Sequence, residues 1–123
     1  MKVVLFAYHE IGAATLEALL ASNAEVLAVF THRDDPGEGN WFRSVARIAS
    51  EHGIPVHAPE SANHPLWIDR IREMGPDAIL SAHYRRMIGR DLLAICPDRC
   101  FNLHASLLPR FRGRAPINWV LVE

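Results

Sequence analysis

The chain has 123 residues, 50% of them apolar and 22% charged, with a formal net charge of −1. That suits one soluble globular domain with a modest core and supplies no general field to recruit nucleic acid. No apolar run approaches the roughly 20 residues of a membrane span, and the two cysteines, Cys96 and Cys100, make no disulfide framework. Met1-Lys2 leads straight into Val3–Ala7, too short and too early for a secretory signal. The expectation is a cytoplasmic protein with no membrane and no nucleic-acid partner.

In chain order the pattern alternates strand and helix. Val3–Ala7 is a continuous apolar, β-branched run, as in a strand covered on both faces. Ile11–Ser22 reads as a helix whose Ile11, Leu16, Leu19 and Leu20 can share a face, and Asn23 suits its stop. Val26–Thr31 is a second buried strand, followed by a loop by composition over 34–40. Ser44 is placed to cap a helix through His52, with Val45, Ile48 and Ala49 inward and Gly53 ending it. Ile54–His57 is a short strand. Pro65 fits the first turn of a helix through Met74, with Leu66, Ile68 and Ile71 inward and Gly75-Pro76 as its stop.

Asp77–Ala82 gives a fourth strand, a loop and short helix run to about Ile95, and Cys100–His104 gives a fifth. Five strands joined by helical crossovers predict an α/β fold, a mainly parallel sheet with helices on both faces. After Pro116, Ile117, Val120 and Leu121 repeat at helical spacing, so a further helix is expected, interrupted at Glu123 without a stop signal. That predicts a domain over 1–123 that is incomplete at its C-terminal end, with an unpaired sheet edge and a tendency to form homo-oligomers.

The first strand–helix turn, Ala7–Gly12 (AYHEIG), has one glycine where dinucleotide binders place G-x-G-x-x-G. Tyr8 and His9 would crowd a phosphate there and Glu10 would repel it. The segment either lines a substrate pocket or covers the end of the sheet.

The chemistry is concentrated in Phe101–Pro116, FNLHASLLPRFRGRAP. Alternation along its opening strand puts Asn102 and His104 on one face and Phe101 and Leu103 on the other. An amide can donate to a developing oxyanion and an imidazole can move a proton near neutral pH, which makes Asn102 and His104 the candidate catalytic pair. The loop behind them carries Arg110, Arg112 and Arg114, which either grip an anionic ligand or are simply solvated. Tyr84–Ile88 follows the fourth strand and should reach the same crevice. Cys96, Cys100 and His104 form a C-x3-C-x3-H series without the second ligand pair that structural zinc usually needs, so no metal site is expected.

The string HASLLPRFRGRAP resembles the signature of the enzymes that use 10-formyltetrahydrofolate to formylate amines. AYHEIG, THRDDPGE (31–38), SVA (44–46) and APINWVLV (115–122) narrow the likeness. They look like the formyltransferase domains of the bifunctional polymyxin-resistance enzymes, which act on UDP-4-amino-4-deoxy-L-arabinose in lipid A modification. The resemblance covers the chain from Met1 and implies a Rossmann-like three-layer sandwich. It implies 10-formyltetrahydrofolate as co-substrate and a UDP-amino sugar as acceptor, Asn102 and His104 as catalytic residues, and the main chain of Arg86, Met87 and Ile88 as the pterin cradle. Arg114 would contact the folate or lie beside it.

Methionyl-tRNA or glycinamide ribonucleotide as acceptor, or a non-catalytic folate- or nucleotide-binding module, are the alternatives. Ala105 stands where the closest relatives carry glycine, a departure the wider family tolerates. The family also orients its histidine with an aspartate well downstream of the S-L-L-P loop, and Glu123 precedes that position. The resemblance therefore implies impaired turnover for these 123 residues by themselves.

Overall fold

The computed structural model describes residues 1–33, 43–105 and 117–121, with 104–105 and 117–121 described by their backbone. The elements are β1 (Lys2–Ala7), α1 (His9–Leu20), β2 (Glu25–Phe30), α2 (Val45–Glu51), β3 (Val56–His57), α3 (Pro65–Met74), β4 (Ala78–Ala82), α4 (Arg90–Leu93), β5 (Cys100–Ala105) and β6 (Ile117–Leu121). The strands form one sheet in the order β3-β2-β1-β4-β5-β6. The first five run parallel, and β6 pairs antiparallel with β5.

The chain winds outward from β1 in both directions. Right-handed crossovers then place helices on opposite faces of the sheet. On one face Ala13 and Leu16 of α1 and Val45 and Ala49 of α2 pack on Val3, Leu5, Ala7 and Val29. On the other, Ile68 and Ile71 of α3 and Leu92 of α4 pack on Val4, Phe6, Ala28 and Phe30. Residues Val3–Ala7 are all buried, so the apolar run in the sequence is a strand covered on both sides. Leu103 joins the first core and Cys100 the second. No helix among the described residues is long and apolar enough to cross a membrane.

Local signals set the helix ends. The Ser44 hydroxyl accepts from the Arg47 amide at 3.2 Å, a helix N-cap. Pro65 opens α3, and Gly75 closes it at φ 67°, a left-handed turn that glycine enters without a side-chain clash. Of the α3 positions expected to be buried, Ile68 and Ile71 are, whereas Leu66 is 50% exposed. Trp67 takes its place, with its ring 5.4 Å from Phe30 and 4.8 Å from His57.

The expected helix after Pro116 is a strand. Ile117↔Ala105, Trp119↔Leu103 and Leu121↔Phe101 pair across the β5 edge. Ile117, Trp119 and Val120 suit a strand, and the β5 edge supplies its partner. The open β5 edge offers hydrogen-bonding groups that need partners. The five parallel strands stand as expected, and the sixth covers the edge that the sequence pattern leaves bare.

Gly12 of α1 comes close to the end of β1 and to α2. A Cβ there would lie 3.0 Å from the Ala7 Cβ, 3.1 Å from the Ala7 carbonyl carbon and 3.2 Å from Val45 Cγ2. The single glycine of AYHEIG thus serves helix–strand packing. Gly12→Val should lower unfolding free energy by about 1–3 kcal/mol through overpacking, measured by urea denaturation. A variant as stable as the parent would show that α1 moves aside at little cost.

Candidate active site

The carboxyl ends of the parallel strands lie at one edge of the sheet, and strand order reverses between β1 and β4. At such a reversal the connections diverge and leave a crevice. Here the Tyr8 amide donates to the Ala82 carbonyl at 3.1 Å, tying the two strand exits together before they part. The next residues on each side, His9 (φ 65°) and His83 (φ 57°), both adopt the left-handed region, uncommon for residues with a Cβ. Their ring centroids are 5.1 Å apart.

Behind this pair lies an aromatic layer. Tyr8 is buried. The His32 ring meets it edge-on at 5.1 Å and stacks on Tyr84 at 4.5 Å, and Tyr84 meets Phe6 edge-on at 5.2 Å. The Arg85 guanidinium carbon sits 4.7 Å from the Tyr8 ring centroid, a cation–π contact. Three successive strand exits, from β1, β2 and β4, are thereby packed into one unit.

The loop from His83 to Gly89 lies between β4 and α4, so its backbone needs partners from elsewhere. The Arg85 amide donates to Nε2 of His32 at 3.0 Å. Asn63, in the turn before α3, donates from Nδ2 to the Met87 carbonyl at 2.9 Å and accepts at Oδ1 from the Gly89 amide at 2.7 Å. A Cβ on Gly89 would come within 2.7 Å of Asn63 Oδ1, so this clamp requires glycine. Arg86 faces a cavity of about 350 Å³ shared with His32, Arg33, Ala58, Pro59 and Glu60. Met87 is 84% exposed, and Ile88 packs against the α3–α4 core.

Asn102 is half-buried on β5, opposite Ser81 of β4 and Val120 of β6. Two positions on, His104 is described by its backbone, which pairs with Asn118. The register brings both to the same edge of the sheet as the His83–Gly89 loop. Leu103 is a core residue. Arg114 lies outside the described residues, as do Leu107, Leu108, Arg110 and Arg112.

Charge is arranged unevenly around this edge. Burial and the charges of Arg86, Arg85 and His83 hold the His32 imidazole below the usual histidine range. Burial, His9 and Arg85 do the same to His83. His32 must be neutral at Nε2 to accept from Arg85, and its environment favours that state. Glu10 is paired with Arg43: the Arg43 Nε donates to it at 2.6 Å and the Arg43 amide at 3.2 Å, and the same guanidinium reaches Glu17. These bonds hold the Glu10 carboxyl below its ordinary value. The charge expected to repel anions is instead matched by the residue that precedes the α2 cap.

The family model described as formyl transferase matches residues 1–123. The chain belongs to the formyl transferase family. Its fold superposes on glycinamide ribonucleotide transformylase 1 from Symbiobacterium toebii with a TM-score of 0.66 at 22% identity, covering 92% of this chain and 55% of that one. The phosphoribosylglycinamide formyltransferase of Brucella melitensis gives 0.60 at 28% identity, covering 91% and 60%. A sugar 3N-formyltransferase, determined with dTDP and 5-N-formyltetrahydrofolate, gives 0.59 at 20%, covering 89% and 36%. The chain thus spans about a third to three-fifths of the length of these proteins.

In this formyl transferase chain the cysteines belong to the core. Cys100 donates to the Cys96 carbonyl at 3.0 Å and Cys96 to the Pro76 carbonyl at 3.3 Å. Burial pushes the Cys100 thiol up to about 11 and raises Cys96 as well. A raised thiol pKa keeps Cys100 in the neutral form, the less reactive one, near neutral pH. Iodoacetamide at pH 8 should label both thiols far more slowly in the native protein than in guanidinium, read by mass spectrometry. Equal rates would place Cys100 in a different environment.

Proposed function

We propose that this chain forms the folate-facing and amine-activating part of a formyltransferase. The reaction moves a formyl group from 10-formyltetrahydrofolate to the amine of a UDP-amino sugar, UDP-4-amino-4-deoxy-L-arabinose, in lipid A modification. The observation that carries the reading is the family match together with the strand register. In that register β5, which carries Asn102 and His104, runs beside β4, which leads into the Arg86–Ile88 loop. The acceptor rests on the AYHEIG, THRDDPGE and APINWVLV segments.

The amine nitrogen attacks the formyl carbon, a C–N bond forms, and the carbonyl oxygen takes the negative charge. The Asn102 amide donates to that oxygen, a class of contact worth about 3–4 kcal/mol in other enzymes. Collapse of the tetrahedral centre breaks the bond from the formyl carbon to the folate nitrogen. His104 takes the proton from the attacking amine and returns it to that leaving nitrogen. The pterin lies against the main chain of Arg86, Met87 and Ile88. The Met87 carbonyl already accepts from Asn63 and keeps a second lone pair. By the family resemblance Arg114, outside the described residues, would contact the folate or lie beside it, and Arg86 and Arg33 supply positive charge to an anionic ligand in the adjoining cavity.

Calorimetric titration with 5-formyltetrahydrofolate tests the reading. Saturable binding is expected in the wild type and in His104→Ala. In a polypeptide that carries this chain and turns over, formyl transfer to UDP-4-amino-4-deoxy-L-arabinose should fall about 10²–10³-fold in Asn102→Ala and at least as far in His104→Ala. A wild-type chain that does not bind the folate rejects the reading. Folate binding by a polypeptide that carries this chain and transfers to no amine would make it a binding module instead.

A further inference from the structure

The loop that the proposed function gives to the folate is held by two side chains from outside it, and one of them titrates. His32, just beyond the carboxyl end of β2, accepts from the Arg85 amide through Nε2 at 3.0 Å. Asn63 holds Met87 and Gly89 through both ends of its amide, at 2.9 and 2.7 Å. We propose that His32 is a positioning residue that makes the placement of the His83–Gly89 loop depend on protonation, with Asn63 as its pH-insensitive counterpart. The consequence for ligand binding rests on the folate reading above; the placement of the loop does not.

The geometry leaves His32 one useful protonation state. Its ring is fixed between Tyr84, stacked at 4.5 Å, and Tyr8, edge-on at 5.1 Å. An Nε2 that points at a backbone N–H must carry a lone pair, so the proton of the neutral ring sits on Nδ1. Adding a proton at Nε2 sets N–H against N–H and removes the acceptor. A ring packed on both sides cannot turn to avoid that without disturbing Tyr8 or Tyr84.

The charged and titratable neighbours come from each packed element. The loop contributes His83, Tyr84, Arg85 and Arg86, and the exit of β1 contributes Tyr8. Arg33 and Glu60 line the adjoining cavity. Among these described residues the positive groups predominate, and Glu60 is the one carboxylate. Burial and Arg86, Arg85 and His83 all disfavour the imidazolium.

The sign follows. An unfolded His32 takes its proton near pH 6.5, and the folded one resists until lower pH. The loop is therefore fully held above about pH 6.5 and progressively released as pH falls below it. His57 and His83 are also depressed and titrate on the same side, so a His32 variant is needed to separate its share.

Amide NMR of the 123-residue chain between pH 8 and 5 provides the test, with a 5-formyltetrahydrofolate titration at each pH. The Arg85 amide should lose hydrogen-exchange protection, corrected for intrinsic rate, by up to about tenfold per pH unit, the limit for uptake of one proton. In His32→Gln, whose side-chain oxygen can accept but cannot titrate, that dependence should flatten. Asn63→Ala should expose the Gly89 amide at every pH and leave the Arg85 profile as in the wild type.

A wild-type Arg85 amide whose protection ignores pH overturns the proposal. So does a His32→Gln variant that keeps the wild-type profile. Folate affinity should weaken over the same interval. If Arg85 follows His32 while no folate binds at any pH, the positioning role stands and the folate reading falls. Melting temperatures of the variants at pH 8 identify any global loss of structure, and the His32→Gln profile set beside the wild-type one decides whether His32 carries the pH dependence.

Discussion

β1 is paired on both edges, to β2 on one side and β4 on the other, and the chain leaves it in opposite directions. Everything at the candidate site depends on that double pairing. It forces the connections after β1 and β4 to separate and fixes a crevice at their parting. With helices packed on both faces, Val3–Ala7 is buried on two sides, so the strand cannot slip by one residue without exchanging the residues that serve each core. The site is therefore anchored to the least deformable part of the molecule, although most of its side chains stand on loops.

The loops are then tied to one another rather than to the sheet alone. Tyr8, His32 and Tyr84 come from three different strand exits and pack ring to ring. Asn63 comes from a fourth connection and engages the backbone of the His83–Gly89 loop at two points. Each side-chain bond to an exposed backbone group is worth only about 1 kcal/mol. Together they decide the direction in which Arg86, Met87 and Ile88 face, because that loop has no strand or helix of its own to do so.

Elements whose signals are local were legible in the sequence. Ser44, Pro65 and Gly75 act within one turn of chain, and each marks a helix end as read. The buried strands announced themselves by composition. What failed had non-local causes. Ile117–Leu121 fits helical spacing on paper, but the deciding partner is the β5 edge more than ten residues upstream. Leu66 and Trp67 exchange roles because the space beside Phe30 and His57 accepts a large flat ring. At the site, Asn102 and His104 were visible as a strand pair, but the register that runs β5 beside β4, the strand leading into the His83–Gly89 loop, is a property of the sheet. His32 and Asn63 carried no motif signal as loop clamps: the residues they bind lie 53 and 24–26 positions away. The pairing of Glu10 with Arg43 was hidden for the same reason.

The choice of an imidazole at position 32 has a physical logic of its own. A carboxylate could also accept from the Arg85 amide, and more strongly. It would then draw the guanidinium of Arg85 or Arg86 toward itself and neutralise charge at the mouth of the cavity. A neutral imidazole satisfies the amide while adding no negative charge, so Glu60 is the one carboxylate among the described residues that line the cavity with Arg86 and Arg33. The cost appears in the backbone. His9 and His83 adopt left-handed dihedrals, of order 1–3 kcal/mol each, next to Tyr8 and Tyr84, whose rings contact that of His32. Strain at the two residues flanking a strand-order reversal thus accompanies an uncharged acceptor held among cations.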